Sequence, residues 1–171
     1  MEFGTLAHTI LQYLDLAGDL SRDGLKMQLS SMAAAHLVEG SLLTDVRIEC
    51  LLDDLMKFVS SKIGRRMQSS RKLYRELPFS RMMPAKRFFP LVAGDEKVFV
   101  QGIIDVLFKD EDGHLVLLDY KTDRDTCASR AAARYKVQID VYSEAIEAIL
   151  GEHVEEKYLY LLHDGTLVDM E

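Results

Sequence analysis

VFVQGIIDVLFKDEDGHLVLLDYKTD, residues 98–123, decides the fold. Two apolar runs, 98–108 and 114–120, flank an acidic turn that ends in Asp112-Gly113. Both runs are apolar at nearly every position rather than at alternate ones, the pattern of central strands covered on both faces. Each also carries charge where apolar surroundings make it expensive: Asp105 in the first run, Asp119 and Lys121 in the second. Asp119 and Lys121 are two apart, so in a strand they share a face, about 7 Å from each other. The turn determines whether Asp105 joins them. A two-residue loop at Asp112-Gly113 would set Asp105 opposite Tyr120, with Asp119 on the other face. A three-residue loop, 111–113, pairs 110 with 114 and sets Asp105 directly opposite Asp119. That loop wants a left-handed third residue, which Gly113 supplies, so the three-residue loop or an equivalent odd register is expected. Facing carboxylates about 5 Å apart repel. A hard divalent cation removes the repulsion, and oxygen ligands with room for water suit Mg²⁺ or Mn²⁺. Lys121, one pleat away, can stabilise phosphoryl charge or help orient an attacking water. The bland alternative is a salt bridge from Lys121 to Asp119, with Asp105 capping a turn.

Outward from this hairpin, the N-terminal part is helical. Leu6, Ile10, Tyr13, Leu14 and Ala17 fall at helical spacing and predict a first helix stopped by Gly18. Residues 22–38 and 45–63 predict two more amphipathic helices, and Ser69-Ser70 breaks the pattern. Strands are predicted at 72–79, 86–92, 97–108 and 114–121. A long helix follows over roughly 129–150, with Gly151 as its stop, then short strands at 157–163 and 166–169. Helices, a strand meander, a helix and two strands make an α/β or α+β domain around a mixed sheet. A single domain over 1–171 is expected, helical over 1–70 and sheet with helix over 71–171.

Composition narrows the class. The 171 residues are 48% hydrophobic and 29% charged, ordinary for a globular protein able to bury a core without staples. No run is long and apolar enough for a transmembrane helix, and the N-terminus lacks the pattern of a signal peptide, so no membrane association and a cytoplasmic location are expected. Cys50 and Cys127 stand alone, with no CxxC pair, which supports neither zinc nor an iron–sulfur cluster. The net charge of −7 is unevenly spread. Residues 62–87 hold nine basic residues against Glu76 alone, a zone able to bind phosphates or simply a solvated basic face.

With these motifs in place the chain resembles a known family. GIID at 102–105 followed by LLDYKTD at 117–123 is similar to the PD-(D/E)xK nuclease superfamily, in its RecB-type branch. GTLAH at 4–8 resembles the branch's early helix motif, RELPF at 75–79 its preceding strand, and Gln138 with Tyr142 its Gln-x-x-x-Tyr. DYKTDR at 119–124 and YKVQIDVYSEAIE from 135 are most similar to the nuclease domains of AddA/RexA-type helicase–nucleases. The resemblance implies an α/β, restriction-endonuclease-like central mixed sheet flanked by helices, with an N-terminal helical segment. It implies Asp105, Asp119 and Lys121 as catalytic residues. Metal ligands would be His8, Asp105, Asp119 and the backbone carbonyl of Tyr120, holding Mg²⁺ or alternatively Mn²⁺. Related cluster-binding nucleases need four cysteines, so no iron–sulfur cluster is implied. Glu76 is expected as a structural or outer acid rather than a ligand. Gln138 and Tyr142 stack at i and i+4 and are expected to hydrogen-bond either to DNA phosphate or to active-site groups; alternatively Tyr142 joins a core stripe with Tyr135, Ile139 and Ile146, and Gln138 borders it.

The implied reaction is phosphodiester hydrolysis in DNA, as an exonuclease of double-strand-break repair and recombination. Implied partners are DNA, a helicase motor in the same parent polypeptide and an AddB/RexB-like partner protein. No GxxxxGK[ST] occurs, so no motor lies within these residues. The competitors are a non-catalytic DNA-binding or helicase-docking module of the same fold, which would not need the intact trio, and hydrolysis of another phosphodiester such as RNA.

Overall fold

The structure, a computed structural model, describes residues 3–92, 94–123 and 127–171. Its centre is the hairpin of β2 (Lys97–Lys109) and β3 (Leu115–Lys121). Lys109 pairs with Leu115 and Val106 with Leu118, so the connection is the three-residue loop 111–113, with Gly113 at φ 95°. The same offset carried one step on brings Asp105 opposite Asp119. Asp110 pins the turn. Its Oδ1 accepts the N–H groups of Asp112, Gly113 and His114 at 3.1, 2.9 and 2.9 Å, and its Oδ2 accepts Arg66 Nη2 at 2.6 Å.

Three further strands extend the sheet in the order β1-β2-β3-β4-β5. β1 (Lys72–Pro84) lies antiparallel to β2, β4 (Glu156–Leu161) parallel to β3, and β5 (Thr166–Asp169) antiparallel to β4. Residues 115–120 of β3 are all buried, as two-sided apolarity requires. One face is covered by α1 (Phe3–Tyr13), α2 (Arg22–Ala34), α3 (Asp45–Ser60) and α4 (Lys62–Gln68), which bury Val106, Phe108, Val116, Leu118, Tyr120 and Tyr160. The other face packs Leu107, Leu117, Leu159 and Leu161 against α5 (Ala128–Leu150), which ends on left-handed Gly151. The result is the expected mixed sheet flanked by helices.

Several boundaries differ from the periodicity. Residues 86–92 are not a strand: Pro84 is followed by a 3₁₀ turn, Ala85–Arg87, in which the N–H groups of Phe88 and Phe89 both bond to Ala85 O. β1 instead runs on to Pro84, and its edge position tolerates Pro78 and Pro84. The helix expected at 45–63 is broken at Ser61, whose backbone is extended and whose hydroxyl caps α4 by accepting Gly64 N–H at 3.0 Å. α1 stops at Tyr13 rather than Ala17; the carbonyls of Gln12 and Leu14 are taken by Arg75 Nη1 at 2.9 and 2.6 Å.

One irregularity positions the site. In β1, Leu73 faces the four-helix layer, yet Leu77 and Phe79 face α5. In β2, Val106 and Phe108 face the four helices, yet Ile104 faces α5. Each strand therefore changes face by skipping one residue, Glu76 in β1 and Asp105 in β2. These two sit opposite each other, unpaired, between the bridged pairs Arg75–Val106 and Leu77–Ile104. Glu76 has φ 50°, a left-handed backbone that a non-glycine residue holds only under constraint.

Candidate active site

α1 delivers His8 to this interruption. Leu6, Ala7, Ile10 and Leu11 anchor the helix in the core, and Gly4 lets its first turn approach the end of β3, where a Cβ would stand 2.9 Å from Thr122 Oγ1. His8 Nδ1 is then 3.4 Å from Asp105 Oδ2. His8, Glu76 and Asp105 each offer one ligand atom, all within 4.8 Å of one another. Asp105 Oδ2 also accepts the Tyr120 N–H at 2.8 Å, which ties the carboxylate to β3 where the β2–β3 ladder opens. Successive carbonyls of a strand point to opposite edges. Lys121 O receives Leu162 N–H from the segment following β4, so Tyr120 O points to the β2 edge, toward Asp105.

Asp119 lies outside that three-residue group and is only 2% exposed. Lys121 Nζ stands 2.6 Å from its Oδ2 as a charge contact, yet that buried oxygen accepts no aligned hydrogen bond among the described residues. Burial, then the charge of Asp105, push the Asp119 carboxyl up to about 6 against the opposing pull of Lys121 and His8. Burial and Asp105 likewise raise Glu76. The His8 ring is raised too: burial works against its charge, but the hydrogen bond to Asp105 and the charges of Asp105, Asp119 and Glu76 outweigh it. The three carboxylates crowd one another, with Lys121 against Asp119 and His8 against Asp105 as the nearby partners. This donor set of carboxylates, an imidazole and a backbone carbonyl fits a hard divalent cation. A second acidic group, Asp110, His114 and Glu156, differs: Arg66 already fills it, reaching Asp110 at 2.6 Å and Glu156 at 2.6 and 2.9 Å.

From α5, Gln138 Oε1 accepts Lys121 Nζ at 3.0 Å, and Gln138 Nε2 donates to the Tyr142 hydroxyl at 2.9 Å. Tyr142 packs edge-on against Phe79 at 5.4 Å. Gln138 therefore contacts Lys121, while Tyr142 combines core packing with its hydrogen bond to Gln138. The basic window does not form one free patch. Arg66 and Arg87 are paired with acids, and Arg75 and Arg81 are bonded to backbone carbonyls.

The family model of the PD-(D/E)XK nuclease superfamily matches residues 1–168. The chain belongs to the PD-(D/E)XK nuclease superfamily. Similar proteins include an ATP-dependent helicase/nuclease subunit of Desulforudis audaxviator, 42% identical over 169 residues, covering 96% of this chain and 13% of that protein. The proteins of the same name from Thermoanaerobacter sp. and Pediococcus pentosaceus are 38% and 37% identical, covering 98% and 99% of this chain and 14% of each. The chain thus spans about one seventh of their length.

Glu76, expected from the sequence as a structural or outer acid, places a carboxylate oxygen within 4.8 Å of ligand-type atoms of His8 and Asp105 in this PD-(D/E)XK domain. The signal that could have found it is the pairing: Phe79 sits opposite Gly102, which offers room for a ring, and that register brings Glu76 opposite Asp105. Gly102 is also where β2, Phe79 and Tyr142 meet, since a Cβ there would lie 2.8 Å from Phe79 Cε1 and 3.2 Å from Tyr142 Cε1. Gly102→Ala is expected to displace Tyr142, loosen Gln138 from Lys121 and cost about 1–3 kcal/mol of stability. Urea unfolding together with a nuclease assay checks both effects; unchanged values would show that the rings shift freely.

Proposed function

We propose that this chain is a divalent-metal-dependent deoxyribonuclease domain, single over 1–171, that hydrolyses phosphodiester bonds as an exonuclease. The observation that carries this is the convergence of His8, Glu76 and Asp105 at the opened end of the β2–β3 ladder, beside Asp119 and Lys121, in a chain matched to a nuclease family along its length. His8, Glu76, Asp105, Asp119 and the carbonyl of Tyr120 would hold the ion, Mg²⁺ foremost and Mn²⁺ as a substitute. The bound ion would supply Lewis-acid activation of water and neutralise charge on the phosphoryl group. The chain's own part is positional. Asp105 is oriented by the Tyr120 N–H, and Lys121 is held by Asp119 and Gln138 with its ammonium available to the phosphate oxygens or to the attacking water. Gln138 and Tyr142 contribute to DNA binding through the placement of Lys121. His8 ligates only as the neutral ring, so its raised affinity for protons makes cation binding weaken as pH falls.

The similar proteins are named as subunits of ATP-dependent helicase/nucleases, which supports a parent polypeptide with a helicase motor. An AddB/RexB-like partner, a cytoplasmic location and a role in double-strand-break repair and recombination complete the proposed setting. Among the described residues no helix is long and apolar enough to cross a membrane. Parallel assays on labelled DNA and RNA, with Mg²⁺, with Mn²⁺ and with chelator, test the proposal. DNA hydrolysis that requires either metal and stops in chelator is expected. RNA cleavage alone would reassign the substrate, and DNA binding without cleavage in either metal would leave a docking module.

A further inference from the structure

We infer that Tyr135 is a positioning residue whose ring face holds the Lys121 ammonium in its reactive place. Lys121 Nζ lies 4.1 Å from the Tyr135 ring centroid, well inside the roughly 6 Å reach of a cation–π contact. The ammonium is therefore held from three sides, by Asp119 Oδ2 at 2.6 Å, Gln138 Oε1 at 3.0 Å and the ring. Its side chain is only 14% exposed, where such contacts are at their strongest. The ring is itself fixed, since its hydroxyl donates to Asp123 Oδ2. Tyr135, Gln138 and Tyr142 fall at i, i+3 and i+7, one stripe of α5: the first two touch Lys121 and the third supports Gln138. A ring suits this position better than a further carboxylate. It attracts the charge without a localised anionic oxygen to bind the ammonium, leaving Nζ free to meet a phosphate oxygen. Arg134 Cζ lies 5.2 Å from the same ring, but that side chain is 64% exposed and its contact is solvent-screened.

This rests on the proposal that Lys121 acts at the reacting phosphate, and the test separates the two. In the full-length protein, metal-dependent hydrolysis of a labelled single-stranded DNA oligonucleotide is measured for Lys121→Ala, Tyr135→Phe, Tyr135→Leu and Tyr135→Leu in the Lys121→Ala background. Phenylalanines carrying one, two or three ring fluorines are also placed at 135; they keep the shape while draining the ring face of charge. The phenylalanine variant is expected to keep kcat within about twofold. Tyr135→Leu and the trifluorinated ring are expected to lose roughly ten- to thirty-fold in kcat with KM nearly unchanged, with the intermediate fluorines graded between. Without Lys121, the leucine substitution is expected to cost nothing more. An effect independent of fluorine, an equal loss in Tyr135→Phe, or a leucine effect that persists without Lys121 overturns the inference. A Lys121→Ala protein with intact kcat removes the underlying proposal as well. The fluorinated series keeps the test decisive even where the leucine variant folds poorly.

Discussion

Asp119→Asn is expected to lower nuclease activity on the order of a thousand-fold or more, while the metal-free protein at pH 7 unfolds no more easily than the wild type. The two halves have one cause. Asp119 lies 2% exposed beside Asp105, and its carboxyl is raised to about 6 by burial first and by the neighbouring charge second. The sign of its effect follows. In the unfolded chain the group ionises near 3.8, so between that pH and about 6 the folded form holds a proton the unfolded form has released. Its contribution favours folding below pH 3.8 and is lost as pH rises through 6. At pH 7 the ionised, buried group therefore opposes folding. Asparagine removes that cost together with the charge a cation needs, and it leaves Lys121 on Gln138 and the Tyr135 ring. Equilibrium unfolding in chelator, alongside the nuclease assay, reads both halves. Full activity in the variant would sink the assignment of Asp119. Lost activity with a large loss of stability would show that the residue is structural.

That opposition between activity and stability explains which parts of the site could be read from residues alone. Asp119 and Lys121 stand out because a charge inside a two-sided apolar strand contradicts its surroundings. Gly113 fixes the hairpin length because a three-residue loop needs a left-handed position, and the pairing of Lys109 with Leu115 follows from it. α5 is legible for a similar reason, with a long periodic run and a glycine stop. Glu76 is not. Its left-handed backbone and the simultaneous change of face at Glu76 and Asp105 arise from how two strands accommodate each other between two helical layers, and periodicity carries no record of a skipped residue. Tyr135 reads as a member of a core stripe because spacing tells which residues share a helix face, not what that face meets. It meets a lysine. The strand expected at 86–92 fails for want of a partner: a β-favouring composition there meets no neighbouring edge, and the segment turns locally on Ala85.

Asp110 provides the opposite case. Asp110→Ala is expected to cost about 2–4 kcal/mol at pH 7 and to leave activity per folded molecule unchanged. Asp110 is 5% exposed, yet its carboxyl is lowered to about 2. Burial pushes it upward, but the hydrogen bond from Arg66 and that from the His114 N–H outweigh the push. Alanine removes the acceptor of three turn N–H groups and one partner of Arg66, although Glu156 still holds the guanidinium. Asn keeps an oxygen for the turn and loses only the charge, so Asp110→Asn should fall between. The pH dependence runs opposite in sense to that of Asp119: the stabilisation is complete above the unfolded value of 3.8 and is lost as pH falls through about 2. The gap between wild type and Asp110→Ala in urea unfolding should therefore narrow from pH 4 toward pH 2, whereas a constant gap would mean that the turn bonds rather than the charge carry the effect. Asp110 lies five residues, about 17 Å, along β2 from Asp105, far enough that tightening one end of the hairpin does not disturb the chemistry at the other. Two buried aspartates on one hairpin thus have opposite electrostatic fates. The one that meets an arginine and three N–H groups stabilises the fold, and the one buried beside Asp105 resists ionisation, a strain that the proposed cation would relieve.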